Sequence, residues 1–155
     1  MLTYDLKAKV TEFELSFRIE DDDQVWGSKV SRANRLGVLA PRWAAYEVML
    51  GYASILEKSD VWSYGIFMWE LFHLGNVEPY ANITDSNSYP EISLFLKNGQ
   101  RLEKPPLCPQ SLYKLMCWCW NQHYQFRPTF FEIKGDLEKF QPKQYSEGEC
   151  QEEKQ

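Results

Sequence analysis

From Lys58 to Leu74 the chain is apolar on nearly every side. Val61, Trp62, Tyr64, Ile66, Phe67, Met68, Trp69, Leu71 and Phe72 leave no continuous polar face. A helix that is apolar all round belongs inside a protein. Ser59 suits the N-cap, and Asp60 in the first turn meets free backbone N–H groups and the positive end of the helix dipole. The pattern predicts a helix from Ser59 to about Leu74, stopped by Gly75. Upstream, residues 8–19 partly alternate, and Val10, Phe13 and Leu15 predict one or two short strands. Residues 20–36 are charged and polar and predict a mobile loop, followed by a short helix from Tyr46 to Leu50.

Downstream, Pro79-Tyr80-Ala81-Asn82 predicts a loop. A helix begins at Ser88 or Tyr89, carries Pro90 in its first turn and ends at Gly99. Pro105-Pro106 breaks the chain. Residues 109–121 predict a further helix with Leu112, Leu115, Met116, Cys119 and Trp120 inward. From near Pro128, Phe130, Ile133, Leu137 and Phe140 form a single helical stripe. Beyond Gln141 little remains to bury, and residues 142–155 predict a disordered tail.

Composition narrows the function. The 155 residues are 44% hydrophobic, enough for one globular unit, and the formal net charge of -5 favours neither nucleic acid nor an anionic membrane as partner. No apolar run approaches the ~20 residues that span a bilayer. The start, Met1-Leu2-Thr3-Tyr4-Asp5, is too polar for a signal peptide, so the expected compartment is the cytoplasm. Cys117 and Cys119 resemble half a zinc site, but no second Cys/His pair follows, His73 and His123 are isolated, and buried reduced thiols are expected. The sequon Asn82-Ile83-Thr84 carries little weight without a secretion signal.

Several segments, in order, resemble the large lobe of a protein tyrosine kinase. Ala8-Lys9-Val10-Thr11-Glu12-Phe13-Glu14-Leu15-Ser16 is similar to the family's K-V/I-x-D-F-G-L-S. Arg42-Trp43-Ala44-Ala45-Tyr46-Glu47 resembles R-W-x-A-P-E. Lys58 to Glu70 matches S-D-V-W-S-F/Y-G-x-x-x-W-E closely, Gly75 and Pro79-Tyr80 resemble G-x-x-P-Y, and Cys119-Trp120 and Arg127-Pro128-Thr129-Phe130 resemble C-W and R-P-x-F. The resemblance implies that Glu47 and Arg127 form a buried ion pair clamping the end of an activation segment. It also implies that Trp43, with Arg42, shapes a substrate-platform loop, and that Asp60, with Trp62 and Gly65, anchors the central helix by accepting hydrogen bonds from a catalytic loop.

The elements that handle phosphate depart from the family. Phosphoryl transfer depends on positioning and on cancelling phosphate charge. No G-x-G-x-x-G and no H-R-D-x-x-x-x-N occurs. Met1 to Asp5 resembles the strand just past the catalytic loop, so the ATP-binding lobe and the catalytic base are expected to be missing from this chain. Glu12 and Glu14 stand at the aspartate and glycine of D-F-G, flanking Phe13. The longer Glu12 displaces its oxygens from magnesium geometry, while Glu14 removes a flexible turn and adds a charge opposing phosphate. Tyr46 replaces the proline before Glu47, Ala40 stands at the proline of P-x-R-W, and residues 17–45 contain no tyrosine.

The expectation is a mainly α, partial protein-kinase-like fold: a C-lobe fragment with a short β remnant at its N-terminus. It spans 1–141, with an activation segment over about 12–47 and helices over about 46–141. The expected function is that of a catalytically inactive pseudokinase fragment with no metal site and no cofactor. Its partner is another protein or a second copy, bound through uncovered apolar surface. The alternatives are a part of a longer ATP- and magnesium-dependent tyrosine kinase, and a non-functional gene fragment.

Overall fold

The computed structural model describes residues 3–5, 7–11, 13, 40–50, 57–83 and 89–140. Glu12, Glu14, the segment 14–39 and the tail from 141 lie outside the described residues, and so do the expectations made for them. The described part contains five helices: α1, Tyr46–Met49; α2, Glu57–Phe72; α3, Tyr89–Lys97; α4, Gln110–Cys119; and α5, Phe130–Glu138. A 3-10 turn covers Tyr124–Phe126. None is long and apolar enough to cross a membrane.

No strand forms among the described residues, which corrects the expected β remnant. Val10 and Phe13 stand largely exposed. Alternation over so few residues builds a sheet only when further strands and a buried face complete it.

The core is built around α2. Val61, Trp62, Ile66, Met68 and Trp69 are buried together with Ile92 and Leu96 of α3, Leu115, Met116 and Cys119 of α4, Trp120, and Ile133 of α5. The closest approach is at Gly65. A Cβ there would lie 2.5 Å from Trp120 Nε1 and 2.9 Å from Cys119 Cβ, so the absence of a side chain lets α2 and α4 meet.

The helix ends show how the sequence punctuates this core. α2 starts at Glu57, two residues before the expected cap. Ser59 is buried inside the first turn, where its hydroxyl donates to Glu47 instead of capping. At the other end, Leu74 N–H donates to Leu71 and Gly75 N–H to Glu70, a Schellman closure in which Leu74 itself takes the left-handed position at φ 54. α3 closes in the same way with Gly99 there, at φ 78. Thr129 and Glu132 form a reciprocal capping box at the start of α5. Arg101 ties two helix ends together, donating to Leu96 O (3.3 Å) in the last turn of α3 and to Trp120 O (2.9 Å) just after α4.

Candidate functional site

The segment 40–50 is short and mostly without helix, yet it is held at each end. Its turn closes through Trp43 N–H to Ala40 O and Ala44 N–H to Pro41 O, each at 3.2 Å. Arg42 crosses to the loop after α2. Its Nη1 donates to Pro79 O and Tyr80 O, its Nη2 to Ile83 O, all at 2.8 Å, and its Nε sits 3.2 Å from Glu78 Oε1. One guanidinium thus gathers three carbonyls and a carboxylate, a task that suits its fixed fork of donors. Part of that loop is held in an unusual shape, since Tyr80 is buried with φ 56. The Trp43 indole N–H donates to Glu70 Oε2 at 2.8 Å, and the Ser63 hydroxyl donates to Trp43 O at 2.8 Å. Both acceptor and donor come from α2, so the loop is fixed to the central helix.

Glu47 and Arg127, eighty residues apart, meet in a bidentate pair. Arg127 Nη1 donates to Glu47 Oε1 at 2.8 Å and Nη2 to Oε2 at 2.7 Å. The Arg127 side chain is fully buried and that of Glu47 is 13% exposed. Such a pair is tolerated in the interior only when every remaining donor and acceptor is met. Here they are well served: Ser59 donates to Glu47 Oε1, Arg127 Nη1 also reaches Lys58 O, and its Nε reaches Asn121 O. Lys58 Nζ returns a bond to Arg127 O at 2.7 Å, so the two residues exchange hydrogen bonds. The Arg127 guanidinium also lies 4.9 Å from the Trp62 ring centre, with Arg101 5.4 Å from the same ring. Trp62 therefore packs against two cations, while its indole N–H finds no acceptor among the described residues.

The anchoring role that the resemblance implies for Asp60 meets no partner among the described residues. Asp60 is exposed in the first turn of α2, and no hydrogen bond reaches its carboxylate there. Partial burial, then the neighbouring charge of Glu57, holds that carboxyl above the usual carboxylate range. Trp62 and Gly65, the other expected anchors, are both in the core.

No group of three or more His, Cys, Asp or Glu is placed to hold a metal among the described residues. The thiols of Cys108, Cys117 and Cys119 are free. Cys119 is buried as expected, Cys108 is buried too, and burial pushes the Cys119 thiol up to about 12. Cys117 is exposed, against expectation, because it falls on the outer side of α4. Sequence reasoning missed Ser59, Ser63, Lys58 and Glu70 as partners of this site. Glu70 and Ser63 sit inside the matched run, but nothing in a run of letters says which side chains turn toward a distant loop.

A model of the protein tyrosine and serine/threonine kinase family matches residues 1–137. The chain is 38% identical over 130 residues to the myoblast growth factor receptor egl-15 of Caenorhabditis elegans, covering 84% of this chain and 11% of the receptor. It is 34% identical over 133 residues to the tyrosine-protein kinase ZAP-70 of Mus musculus, covering 86% of this chain and 20% of that protein. It is 35% identical over 139 residues to the ephrin type-A receptor 5 of Gallus gallus, covering 90% of this chain and 13% of that receptor. The chain thus spans a tenth to a fifth of the length of these relatives.

Proposed function

This chain belongs to the protein tyrosine and serine/threonine kinase family, and we propose that it serves as a degenerate tyrosine-kinase C-lobe segment that binds protein and transfers no phosphoryl group by itself. The observation that carries this reading is the contrast between two parts of the same chain. Segment 40–50 is pinned by Arg42, Trp43 and the Glu47–Arg127 pair, which preserves a shaped surface. The residues that would handle magnesium and phosphate are altered, with Glu12 and Glu14 standing at the aspartate and glycine of the D-F-G run. A longer carboxylate and an added negative charge each work against a magnesium–nucleotide complex. A surface kept in shape in a chain whose nucleotide element is altered is what a binding module retains.

A second reading, part of a longer active kinase, draws on the same well-satisfied pair, because the surface it fixes would serve a peptide substrate equally well. Two measurements test the inactive reading. Thermal-shift titration with ATP and magnesium should show no saturable shift, and a radiolabelled transfer assay on a tyrosine peptide should show no incorporation. Nucleotide binding near micromolar concentration, or transfer that is lost in Glu12→Ala, overturns the inactive reading.

A further inference from the structure

The outer side of α4 carries an aromatic corner. Trp118 is 38% and Phe126 66% exposed, although both are large apolar residues. The Trp118 indole N–H donates to Phe126 O at 2.7 Å. Its donor is thus used within the chain, and the ring offers a partner mainly apolar surface. His123 stands edge-on to Phe126, their ring centres 6.0 Å apart. Opposite charges bracket this corner. Lys114 is exposed one turn before Trp118, on the same side of α4. Glu132 is exposed beyond Phe126, tied to Thr129 at the start of α5. Their order follows α2 backward. Tyr113 and Trp69 bond the neighbouring carbonyls Leu102 O and Glu103 O, Cys119 and Trp120 lie against Gly65, and Lys58 bonds Arg127 O. From the end of α2 to its start the corner therefore runs Lys114, Trp118, Phe126, Glu132. Glu57 and Lys58 offset one another near the acidic end.

We propose that this corner pairs two copies of the chain about a two-fold axis, Trp118 of one against Phe126 of the other, with Lys114 facing Glu132 twice across the interface. The proposal rests on the protein-binding reading above and names its partner. The charge pattern selects the occupant. A two-fold axis lays a patch onto itself reversed. A patch with a cation at one end and a carboxylate at the other is therefore its own complement. A uniformly acidic partner would meet Glu132 as a like charge, and a uniformly basic one would meet Lys114 so. Aromatic edges and faces also pair favourably with one another. At ~150–250 Å2 per large aromatic side chain, the exposed parts of Trp118 and Phe126 supply roughly 200 Å2, well under the ~800 Å2 per partner of a standard interface. The dimer is therefore weak and reversible.

Sedimentation equilibrium of the full chain should show monomer and dimer with a dissociation constant on the order of 100 µM. Trp118→Glu should abolish the dimer while leaving the circular dichroism unchanged. Lys114→Glu and Glu132→Lys should each weaken it about tenfold, because each sets two like pairs face to face. Mixed in equal amounts, these two variants should recover the parent affinity, since every facing pair then has opposite charges. Neither misfolding nor another surface gives that recovery. Glu132→Lys also removes half of the capping box of α5. Glu132→Gln keeps a side chain that completes the box, and should weaken the dimer about threefold. Three results overturn the proposal: no dimer up to about 1 mM chain, a dimer that Trp118→Glu or Glu132→Gln leaves unchanged, or a mixture of the two folded charge variants no tighter than either alone. The nucleotide and transfer assays do not involve this corner, so failure here leaves the inactive reading intact.

Discussion

Truncating Arg127 to alanine probes the arrangement most directly. The guanidinium makes four side-chain hydrogen bonds, two to Glu47 and one each to Lys58 O and Asn121 O, and stacks on Trp62. Its removal leaves the Glu47 carboxylate largely buried, with the Ser59 hydroxyl still donating to it. Breaking one side of a buried pair costs about 3–5 kcal/mol, mostly because the other charge stays behind. The two carbonyls that lose a donor are part of that figure, since contacts made by one group do not add independently. A loss of about 4 kcal/mol is a large share of the ~5–15 kcal/mol that holds a domain. With a urea slope of ~1–3 kcal/mol per molar, the midpoint should fall by roughly 2 M, followed by tryptophan fluorescence. Arg127→Lys should fall between, because a point charge cannot reproduce the fork. The double replacement Glu47→Met/Arg127→Met should lose less than the two single truncations summed, because neither leaves a stranded charge. A loss below about 1 kcal/mol in Arg127→Ala, the value of an exposed ion pair, would refute the reasoning.

Three further outcomes are expected. Gly65→Ala should destabilise by about 1–3 kcal/mol in the same urea assay, since the new methyl would lie closer to Trp120 and Cys119 than van der Waals contact allows. Leu74→Gly should stabilise by about 0.5–1 kcal/mol, because it relieves a left-handed leucine at some expense in unfolded-chain entropy, whereas Leu74→Ala should gain nothing. Asp60→Asn should raise stability at pH 7 by at most about 0.5 kcal/mol, given how exposed the group is. The folded chain holds the Asp60 proton more tightly than the unfolded one. Asp60 therefore subtracts nothing below pH ~4 and progressively more as pH rises through the raised value. Urea midpoints of the two proteins should coincide near pH 3.5 and diverge by pH 7; divergence in acid would reverse the sign.

The helices were legible because their signals are local. The all-round apolar run of α2, Pro90 with Gly99 around α3, and the stripe of α5 each lie within a few turns of chain. The start of α2 was misplaced because Ser59 has the chemistry of a cap but is claimed by Glu47, a residue twelve positions away. The strand near Val10 failed for the converse reason, since alternation records only half of a sheet. Of the site, Glu47 and Arg127 could be named from the order of motifs, but not from their own neighbourhoods. Arg42 was named only as a platform residue, because its acceptors are backbone carbonyls of residues 79, 80 and 83. Any sequence supplies such carbonyls, and only the bent loop aims them.

The eighty-residue separation between Glu47 and Arg127 also bears on time. Closing a loop of that length costs about 4 kcal/mol in chain entropy before its contacts give anything back, by the logarithmic law for flexible loops. Contacts such as those closing α3 or capping α5 span three to five residues and meet almost no such barrier. The pair should therefore form late, after α2 and α4 have already brought the two ends near one another. Residues that join after the transition state leave the folding rate nearly untouched and govern escape from the native state instead. The bidentate pair then acts as a latch on the lifetime of segment 40–50. In Arg127→Ala the lost free energy should appear almost wholly as faster unfolding, with the refolding limb of the chevron unmoved.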